Sequence, residues 1–229
     1  MNNHWPVILV AFVLLAAAAC VRVTPALTGI TPQPTQAPAI LEPEQSEVWH
    51  RPRGQDEREV EHATTAGQGD RVWTERRGRA LLMWKDLWVR LYDDTKLHVD
   101  ECQVLTDICL AMGFGTVLNG GVPRARERIT WTTTHAEIRF TGTTVMAAYH
   151  PGSQLTIVRV FDGQVKVRNL MASRDSILRI DDLMGLGRAE IVDAREWALV
   201  EPDKPPQVSD QLEEMRSLAR ELGLWDAFH

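Results

Sequence analysis

The chain has 229 residues, with 25 Lys and Arg against 31 Asp and Glu, which gives a formal net charge of −6. This length fits one main domain with accessory segments, and 44% hydrophobic with 24% charged residues excludes a wholly disordered or fibrous chain. The acidic balance also lacks the clustered basic composition of a nucleic-acid-binding protein, so we expect no nucleic-acid partner.

The N-terminal segment has the composition of an export signal. Residues 7–19 are apolar without interruption, and Cys20 follows them. A helix of this length spans about 20 Å, which is short of a hydrocarbon core about 30 Å thick, so residues 1–19 are predicted to be a signal peptide. The alternatives are a signal peptide cut after one of the preceding alanines without lipidation, or a short uncleaved anchor.

The residues Ala17-Ala18-Ala19-Cys20 resemble the lipobox of bacterial lipoproteins. The resemblance implies that Cys20 is acylated and becomes the new N-terminus. More than one acyl chain is enough for stable membrane attachment. We therefore expect an extracytoplasmic lipoprotein that is anchored to a membrane of the bacterial cell envelope.

The other two cysteines are Cys102 and Cys109. In an oxidising compartment such a pair is expected to form a disulfide. Two reduced, buried thiols are the alternative. A metal site with His98, Asp100 and Glu101 lacks the paired Cys and His spacing typical of zinc sites, so no metal and no cofactor are predicted.

Residues 20–69 are predicted to be a disordered tether. Prolines recur through this stretch, and residues 51–59 form a run of mixed charges with few apolar side chains to bury. Such a tether would lift a folded domain away from the membrane surface.

Residues 70–202 are predicted to form an all-β domain. Short apolar or alternating runs are separated by turn residues at spacings near ten residues, which is typical of a sandwich, a jelly roll or a β-helix-like roll. The turns are predicted at Asp93-Asp94, Asn119-Gly120-Gly121 and Asp162-Gly163, the last as a hairpin turn.

Residues 203–229 are predicted to hold one amphipathic helix. Asp210 is the expected N-cap with Glu213 three residues later, and apolar residues then fall on one helical face. This face either packs on the β domain or docks a partner.

The stretch 128–169 resembles the FecR domain family. The matching segments are residues 129–145, which contain Gly142-Thr143-Thr144, and residues 158–167, which contain Asp162-Gly163. The resemblance extends over about residues 72–200 and implies an extracytoplasmic β domain that senses a ligand or protein. FecR regulators also carry a cytosolic segment that controls a sigma factor. Six residues precede the apolar stretch here, so no sigma factor partner is expected.

The sequence contains no arrangement of residues that indicates catalysis, so we expect no enzyme activity. No phosphate-binding glycine loop, nucleophile elbow or His-Glu-x-x-His motif is present. Adjacent carboxylates point to opposite faces of a strand or lie in solvated turns, and His135 is expected in a turn or at the surface.

The tryptophans are the strongest indication of binding. Trp73, Trp84, Trp88 and Trp131 lie in predicted strands, where a large aromatic side chain normally belongs to the core. If Leu87, Val89 and Leu91 face the core, Trp88 faces outward, as does Tyr92, and the pair is a candidate binding surface. The alternative is that a second sheet or the C-terminal helix covers this face.

Together these patterns predict a non-enzymatic cell-envelope lipoprotein with a FecR-like domain that binds or senses a protein or glycan ligand. The alternative is a structural component of the envelope that assembles through strand edges or through the C-terminal helix.

Overall fold

The computed structural model describes residues 37–85, 87–102, 107–121, 128–170 and 189–223. In these ranges almost all regular structure is β-strand, and one helix follows the last strand. The elements are β1 (Ala39–Gln45), β2 (Val48–Arg51), β3 (Arg58–Glu59), β4 (Thr64–Ala66), β5 (Arg71–Thr74), β6 (Arg79–Trp84), β7 (Leu87–Leu91), β8 (Thr95–Asp100), β9 (Ile108–Gly121), β10 (Ile129–Thr132), β11 (Ala136–Phe140), β12 (Thr144–His150), β13 (Leu155–Asp162), β14 (Gln164–Asn169), β15 (Ala189–Asp193), β16 (Trp197–Val200), β17 (Gln207–Ser209) and α1 (Leu212–Glu221).

The strands form two sheets that share β9. Sheet A has the order β4-β1-β6-β7-β9-β12-β13-β16-β17, and all its pairs are antiparallel. Sheet B has the order β3-β2-β5-β8-β9-β10-β11-β14-β15, with β9 and β10 as its parallel pair. Sheet A uses the second part of β9, and sheet B uses the first part.

The core lies between the two sheets. Leu87, Val89 and Leu91 of β7 are buried, whereas the residues between them are only partly covered. The same alternation runs through the strands of sheet B, and buried side chains of both sheets form one continuous cluster. This pattern places one face of each sheet inward, and it confirms the predicted all-β, sandwich-like fold.

Strand β9 passes from sheet B to sheet A through a bulge and a bend. Lys96 pairs with Phe114, but the next residue, Leu97, pairs with Met112, so Gly113 is the extra residue. Gly115 follows with φ 94°, and a Cβ there would lie 2.5 Å from Asp94 O. Only glycine adopts this conformation in so little space.

Buried threonines complete the hydrogen bonding where the chain turns between the sheets. The hydroxyl of Thr95 donates to Thr116 O at 3.0 Å and accepts from Thr116 N at 2.9 Å. Thr95 N donates in turn to the hydroxyl of Thr74 at 3.0 Å. These hydroxyls therefore satisfy backbone groups that the strand ladders no longer pair at the corner.

The structure corrects the predicted tether, because residues 39–66 form β1 to β4. Ala39 and Leu41 are fully buried, and β1 pairs with both β4 and β6. Pro43 is tolerated because β4 covers only residues 39–41 of β1 and because the register with β6 shifts just after Pro43. The β domain therefore begins near residue 39 and not at residue 70.

Of the three predicted turns, Asp93-Asp94 is confirmed as a turn and the other two are corrected. Asn119-Gly120-Gly121 lies within β9 and forms no turn. Asp93-Asp94 and Asp162-Gly163 are turns, but neither joins a hairpin: β7 leads from sheet A to β8 in sheet B, and β13 leads from sheet A to β14 in sheet B. A glycine turn specifies a sharp bend, and it leaves open which sheet the next strand joins.

Helix α1 covers the outer face of sheet A with its apolar side. Met215 and Ala219 are fully buried against Met146, Ala148, Ile157 and Trp197. This arrangement agrees with packing on the β domain and leaves little of the apolar helical face for a partner. The predicted cap is wrong: the N-cap is Gln211, with no side-chain hydrogen bond to the helix. Among the described residues, no helix is long and apolar enough to span a membrane.

Substitutions at two glycines of β9 test the role of its bend. We expect Gly115→Ala to lower the free energy of unfolding by about 2–4 kcal/mol, because it combines a positive φ with backbone overlap. Gly113→Ala is expected to cost less than about 1 kcal/mol, since a Cβ there would meet only the Lys96 side chain at 3.7 Å. Urea unfolding monitored by tryptophan fluorescence measures both values, and equal losses would contradict the role of the bend.

Candidate ligand-binding face

The predicted binding residue Trp88 lies on the outer face of sheet A. In register it stands opposite Met83 and Gly120. A Cβ on Gly120 would overlap the indole ring, so the ring lies directly on the backbone of β9. The Arg90 guanidinium is 5.6 Å from the ring centroid, and Trp88 is half-buried as a result.

An ion pair fixes Arg90 beside this tryptophan. Nε of Arg90 is 2.8 Å from Glu44 Oε2, and Nη2 is 2.7 Å from Glu44 Oε1, which is a bidentate geometry. The hydrogen bonds that Arg90 donates to Glu44 raise the pKa of the guanidinium further above its ordinary value, against the effect of its burial. Arg90 is therefore a fixed part of this surface.

Tyr92 is not an open partner for Trp88. It packs against the cluster beneath helix α1, and the Arg79 guanidinium is 5.7 Å from its ring. The structure thus places both predicted residues on the same side of the sandwich. Arg90 lies between them, and Tyr92 is partly covered by the cluster beneath helix α1. For Tyr92, the structure therefore agrees with the alternative prediction, in which the C-terminal helix covers this face.

A second aromatic surface lies on the outer face of sheet B. Trp49 and Trp73 are directly opposite each other in β2 and β5, with ring centroids 6.2 Å apart and planes 7° from parallel. Lys96 of β8 is next in register, and its ammonium is 6.0 Å from the Trp73 ring. The sequence pattern placed Trp73 in the core, but the structure places it on the outer face of sheet B. Trp84 and Trp131 are buried, as the pattern indicated.

A row of cationic and titratable side chains runs beside these rings, two residues further along each strand. Arg51, Arg71 and His98 are in register across β2, β5 and β8. We call Trp49, Trp73, Lys96 and this row the Trp–Arg face. Sequence reasoning missed it because Trp49 and Arg51 fell inside the predicted tether.

The two arginines of the Trp–Arg face are exposed and directly opposite each other. Among the described residues, neither has an acidic ion-pair partner, whereas His98 pairs with Asp100 at 2.7 Å. Like charges placed opposite each other on neighbouring strands destabilise a sheet. Two opposed arginines without a counter-charge therefore form a candidate anion-binding site.

A buried carboxylate holds the loops around this row. Asp70 Oδ1 accepts a hydrogen bond from Arg53 N at 2.7 Å, and its Oδ2 accepts one from Gly67 N at 2.9 Å. The same Oδ2 is 2.9 Å from Nε2 of His50, which is only 1% exposed. Asp70 directly precedes Arg71, so this network fixes the start of β5 and the position of its arginine.

Two shallow clefts open on the Trp–Arg face and share Arg71 and His98. One has a volume of about 320 Å³ and is also lined by Lys96, Ala111 and Gly113. The other has a volume of about 190 Å³ and is lined by Arg51 and Gly69 on its far side. The small residues along β9 leave this space open between the cationic side chains.

The cysteine prediction is confirmed, because Cys102 and Cys109 are joined by a disulfide with their Cα atoms 5.5 Å apart. The bond links the end of β8 to the start of β9 next to the Trp–Arg face. Cys20, the predicted lipidation site, lies outside the described residues. Within those residues, no group of three or more His, Cys, Asp or Glu could hold a metal ion.

The fold-motif residues come together at one corner. Gly142 turns the chain with φ 60° between β11 and β12, and Thr144 pairs with Asp162. The buried hydroxyl of Thr143 lies 3.0 Å from Gln164 O, just after Gly163. These five residues therefore tie two passages between the sheets to each other, which is a scaffolding role.

His135 is buried in the turn between β10 and β11 and is 2% exposed. Neither ring nitrogen has a hydrogen-bond partner among the described residues, and Tyr149 lies beside the ring with centroids 6.2 Å apart. Burial lowers the pKa of His135 below its ordinary value of 6.5, an effect that the negative charge of Asp203 partly offsets. The prediction that His135 lies in a turn or at the surface is therefore met by the turn, in which its side chain is buried.

No family model matches this chain. No curated protein matches it either. Two crystal structures, at 1.65 and 2.50 Å resolution, are similar to it, and both are described as a putative anti-sigma factor from Parabacteroides distasonis. They are 13% identical to this chain, with a TM-score of 0.48. The alignment covers 65% of this chain and only 64% and 63% of those chains, which is less than two thirds of their length.

This comparison contradicts one prediction. The sequence led us to expect no sigma factor among the partners, because few residues precede the apolar stretch. The similar structures are described as an anti-sigma factor, so the exclusion was wrong and is withdrawn.

The burial of His135 generates a prediction on pH. Because the folded state holds its pKa below the unfolded value, the unfolded state binds the proton more readily, and stability falls as the pH decreases through about 6.5. We expect His135→Phe to reduce the loss of unfolding free energy between about pH 7.5 and about pH 5.5. Urea unfolding at both values measures it.

The matched control is His62→Phe, which removes an exposed imidazole. It is expected to leave the pH dependence as in the wild type. A His135→Phe variant with the wild-type pH dependence would show that His135 does not contribute to it.

Proposed function

We propose that this chain is a non-enzymatic, FecR-like binding domain, which a lipid on Cys20 holds at the outside of a bacterial membrane. The observation that carries the binding function is the Trp–Arg face, where two half-buried tryptophans and two exposed, uncompensated arginines lie on one rigid sheet. Aromatic and arginine side chains are the residues that most often dominate recognition surfaces.

The scaffold suits recognition by a preformed surface. The strands that carry the Trp–Arg face pair on both sides within sheet B, and Asp70 fixes the loops beside them. A surface that is already ordered loses little conformational entropy when it binds. The FecR-like residues 129–145 and 158–167 support this proposal through the fold, since they form β10 to β14 and the corner around Thr143.

In the part of the chain that the structure describes, one buried histidine–carboxylate pair resembles catalytic machinery, and its surroundings support a structural role. His50 is 1% exposed, and both oxygens of Asp70 already accept backbone hydrogen bonds. A general base must come within hydrogen-bond distance of its substrate. His50 faces the core instead, so it holds β2 to the loop before β5.

The alternative of envelope assembly has less support from the structure. The outer strands of the sheets are short: β3 has 2 residues, β4 and β17 have 3 each, and β15 has 5. Such short edge strands limit pairing between sheets of different molecules, and β3 and β15 also carry charged residues. The apolar side of α1 is already buried against sheet A.

The anchoring part of the proposal is tested by metabolic labelling with an alkynyl palmitate analogue. We expect the wild-type protein to carry the label and to sediment with membranes, because acylation at Cys20 supplies the anchor. Cys20→Ala should lose the label. Cys102→Ser is the matched control and should keep it, and an unlabelled wild type would contradict the proposal.

The binding part is tested by photo-crosslinking in intact cells. A photoreactive amino acid in place of Lys96 should crosslink to envelope material, whereas the same group in place of Lys166, which is exposed on the other half of sheet B, should not. Equal yields at both positions would contradict specific binding through the Trp–Arg face.

A further inference from the structure

We propose that the ligand of the Trp–Arg face is an acidic polysaccharide, with sugar rings stacked on Trp49 and Trp73 and carboxylates paired with Arg51 and Arg71. The inference rests on the binding function proposed above and adds the chemical class of the ligand. It follows from the charge, the spacing and the exposure of these side chains.

The aromatic row supplies apolar area of the right kind. The two indole rings are nearly parallel, and both are only partly covered. An aromatic ring has an apolar face that is costly to leave in water, and a flat ring with C–H groups can cover it. The faces of pyranose rings have these C–H groups, while their hydroxyls point sideways toward water or toward neighbouring polar residues.

The basic row selects a negative charge. Arg51 and Arg71 repel each other across the strands, and no acidic side chain in the described part of the chain pairs with either. The neighbouring Arg53 is already paired with Glu101 at 2.7 Å, as His98 is with Asp100. A carboxylate placed between Arg51 and Arg71 would relieve their repulsion and accept bidentate hydrogen bonds.

The spacing between the two rows fits a charged sugar. Each arginine is two residues from the tryptophan of the same strand, a separation of about 6.7 Å along the sheet. A carboxylate attached to a stacked sugar ring projects from the ring edge toward this row. The long arginine side chains can cover the remaining distance, so ring and charge are recognised together.

The open space beside the two rows suits an extended chain. The clefts of about 320 and 190 Å³ share Arg71 and His98, and the small residues Gly113 and Ala111 line the first of them. Both clefts are open grooves, whereas a small-molecule pocket usually encloses most of its ligand. A shallow double cleft accommodates consecutive units of a polymer.

The charge of the protein argues against single-stranded nucleic acid, which could otherwise stack its bases and pair its phosphates on the same face. Its affinity comes mainly from several phosphate contacts. The Trp–Arg face has three cations without an acidic partner among the described residues, Arg51, Arg71 and Lys96, within a chain of net charge −6. A polysaccharide with isolated carboxylates needs fewer cations.

The experiment measures binding of a galacturonic acid oligosaccharide to the full-length protein in detergent by calorimetry. The same oligosaccharide with its carboxylates reduced to alcohols and an oligo-dT strand are the comparison probes. We expect the acidic oligosaccharide to bind at least about tenfold more tightly than the reduced one, because the reduced sugar leaves Arg51 and Arg71 unpaired.

Two variants locate the site. The double variant Arg51→Gln/Arg71→Gln and the single variant Trp73→Leu should each weaken binding about tenfold or more. The matched control Arg76→Gln/Lys166→Gln removes two exposed cations elsewhere and should bind like the wild type. Raising the salt from about 50 mM to about 500 mM should weaken wild-type binding and affect the Arg51→Gln/Arg71→Gln variant less.

Absence of binding, equal binding of the reduced oligosaccharide or tighter binding of oligo-dT would each overturn the inference. The outcome is separable from the proposed function through the Lys96 crosslink. If protease digests the crosslinked partner and periodate leaves it intact, the ligand is a protein. That result would support the binding function and overturn the inference of a polysaccharide ligand. Absence of any crosslink would overturn both.

Discussion

Strand β9 is the constraint on which the sandwich depends, because its 14 residues belong to both sheets. Its first part lies between β8 and β10 in sheet B, and its second part lies between β7 and β12 in sheet A. Each sheet therefore has four strands from the first half of the chain on one side of β9 and four from the second half on the other. The bend at Gly115 sets the position of one sheet over the other, and with it the core that both halves bury.

The corners between the sheets explain how much of the fold the sequence could predict. The alternation of apolar residues predicted many strands and the sandwich-like class correctly, since each strand buries one face. Several turns were missed because they bend the chain at single residues of positive φ that are not glycine, such as Glu47, Arg77 and Arg195. Buried threonines such as Thr95 and Thr143 then satisfy the corner, and a threonine in a strand has no sequence signal that distinguishes this role.

The candidate site could not be predicted for a related reason. Trp49, Trp73 and Lys96 are neighbours only because β2, β5 and β8 pair in one register. The charged run that begins at Arg51 has the composition of a solvated tether. In the strand just before it, Val48 and His50 are buried and alternate with the outward-facing Trp49. A two-residue period over so short a strand is lost among prolines and charges. The two-residue alternation around Trp88 was clear in the sequence. It correctly identified an outward-facing side chain, but on the face of sheet A that α1 partly covers.

The two outer faces of the sandwich therefore have different roles. On sheet A, helix α1 and the Arg90–Glu44 pair cover aromatic side chains, and this covering stabilises the fold. On sheet B, the Trp–Arg face keeps two like charges opposite each other, an arrangement that stability alone does not favour. The FecR-like motif residues Gly142, Thr143 and Gly163 belong to neither face, because they build a corner in the second half of the chain. Similarity at that corner therefore concerns the scaffold, whereas the proposed ligand site is built on residues of β2, β5 and β8 that lie outside the two FecR-like segments.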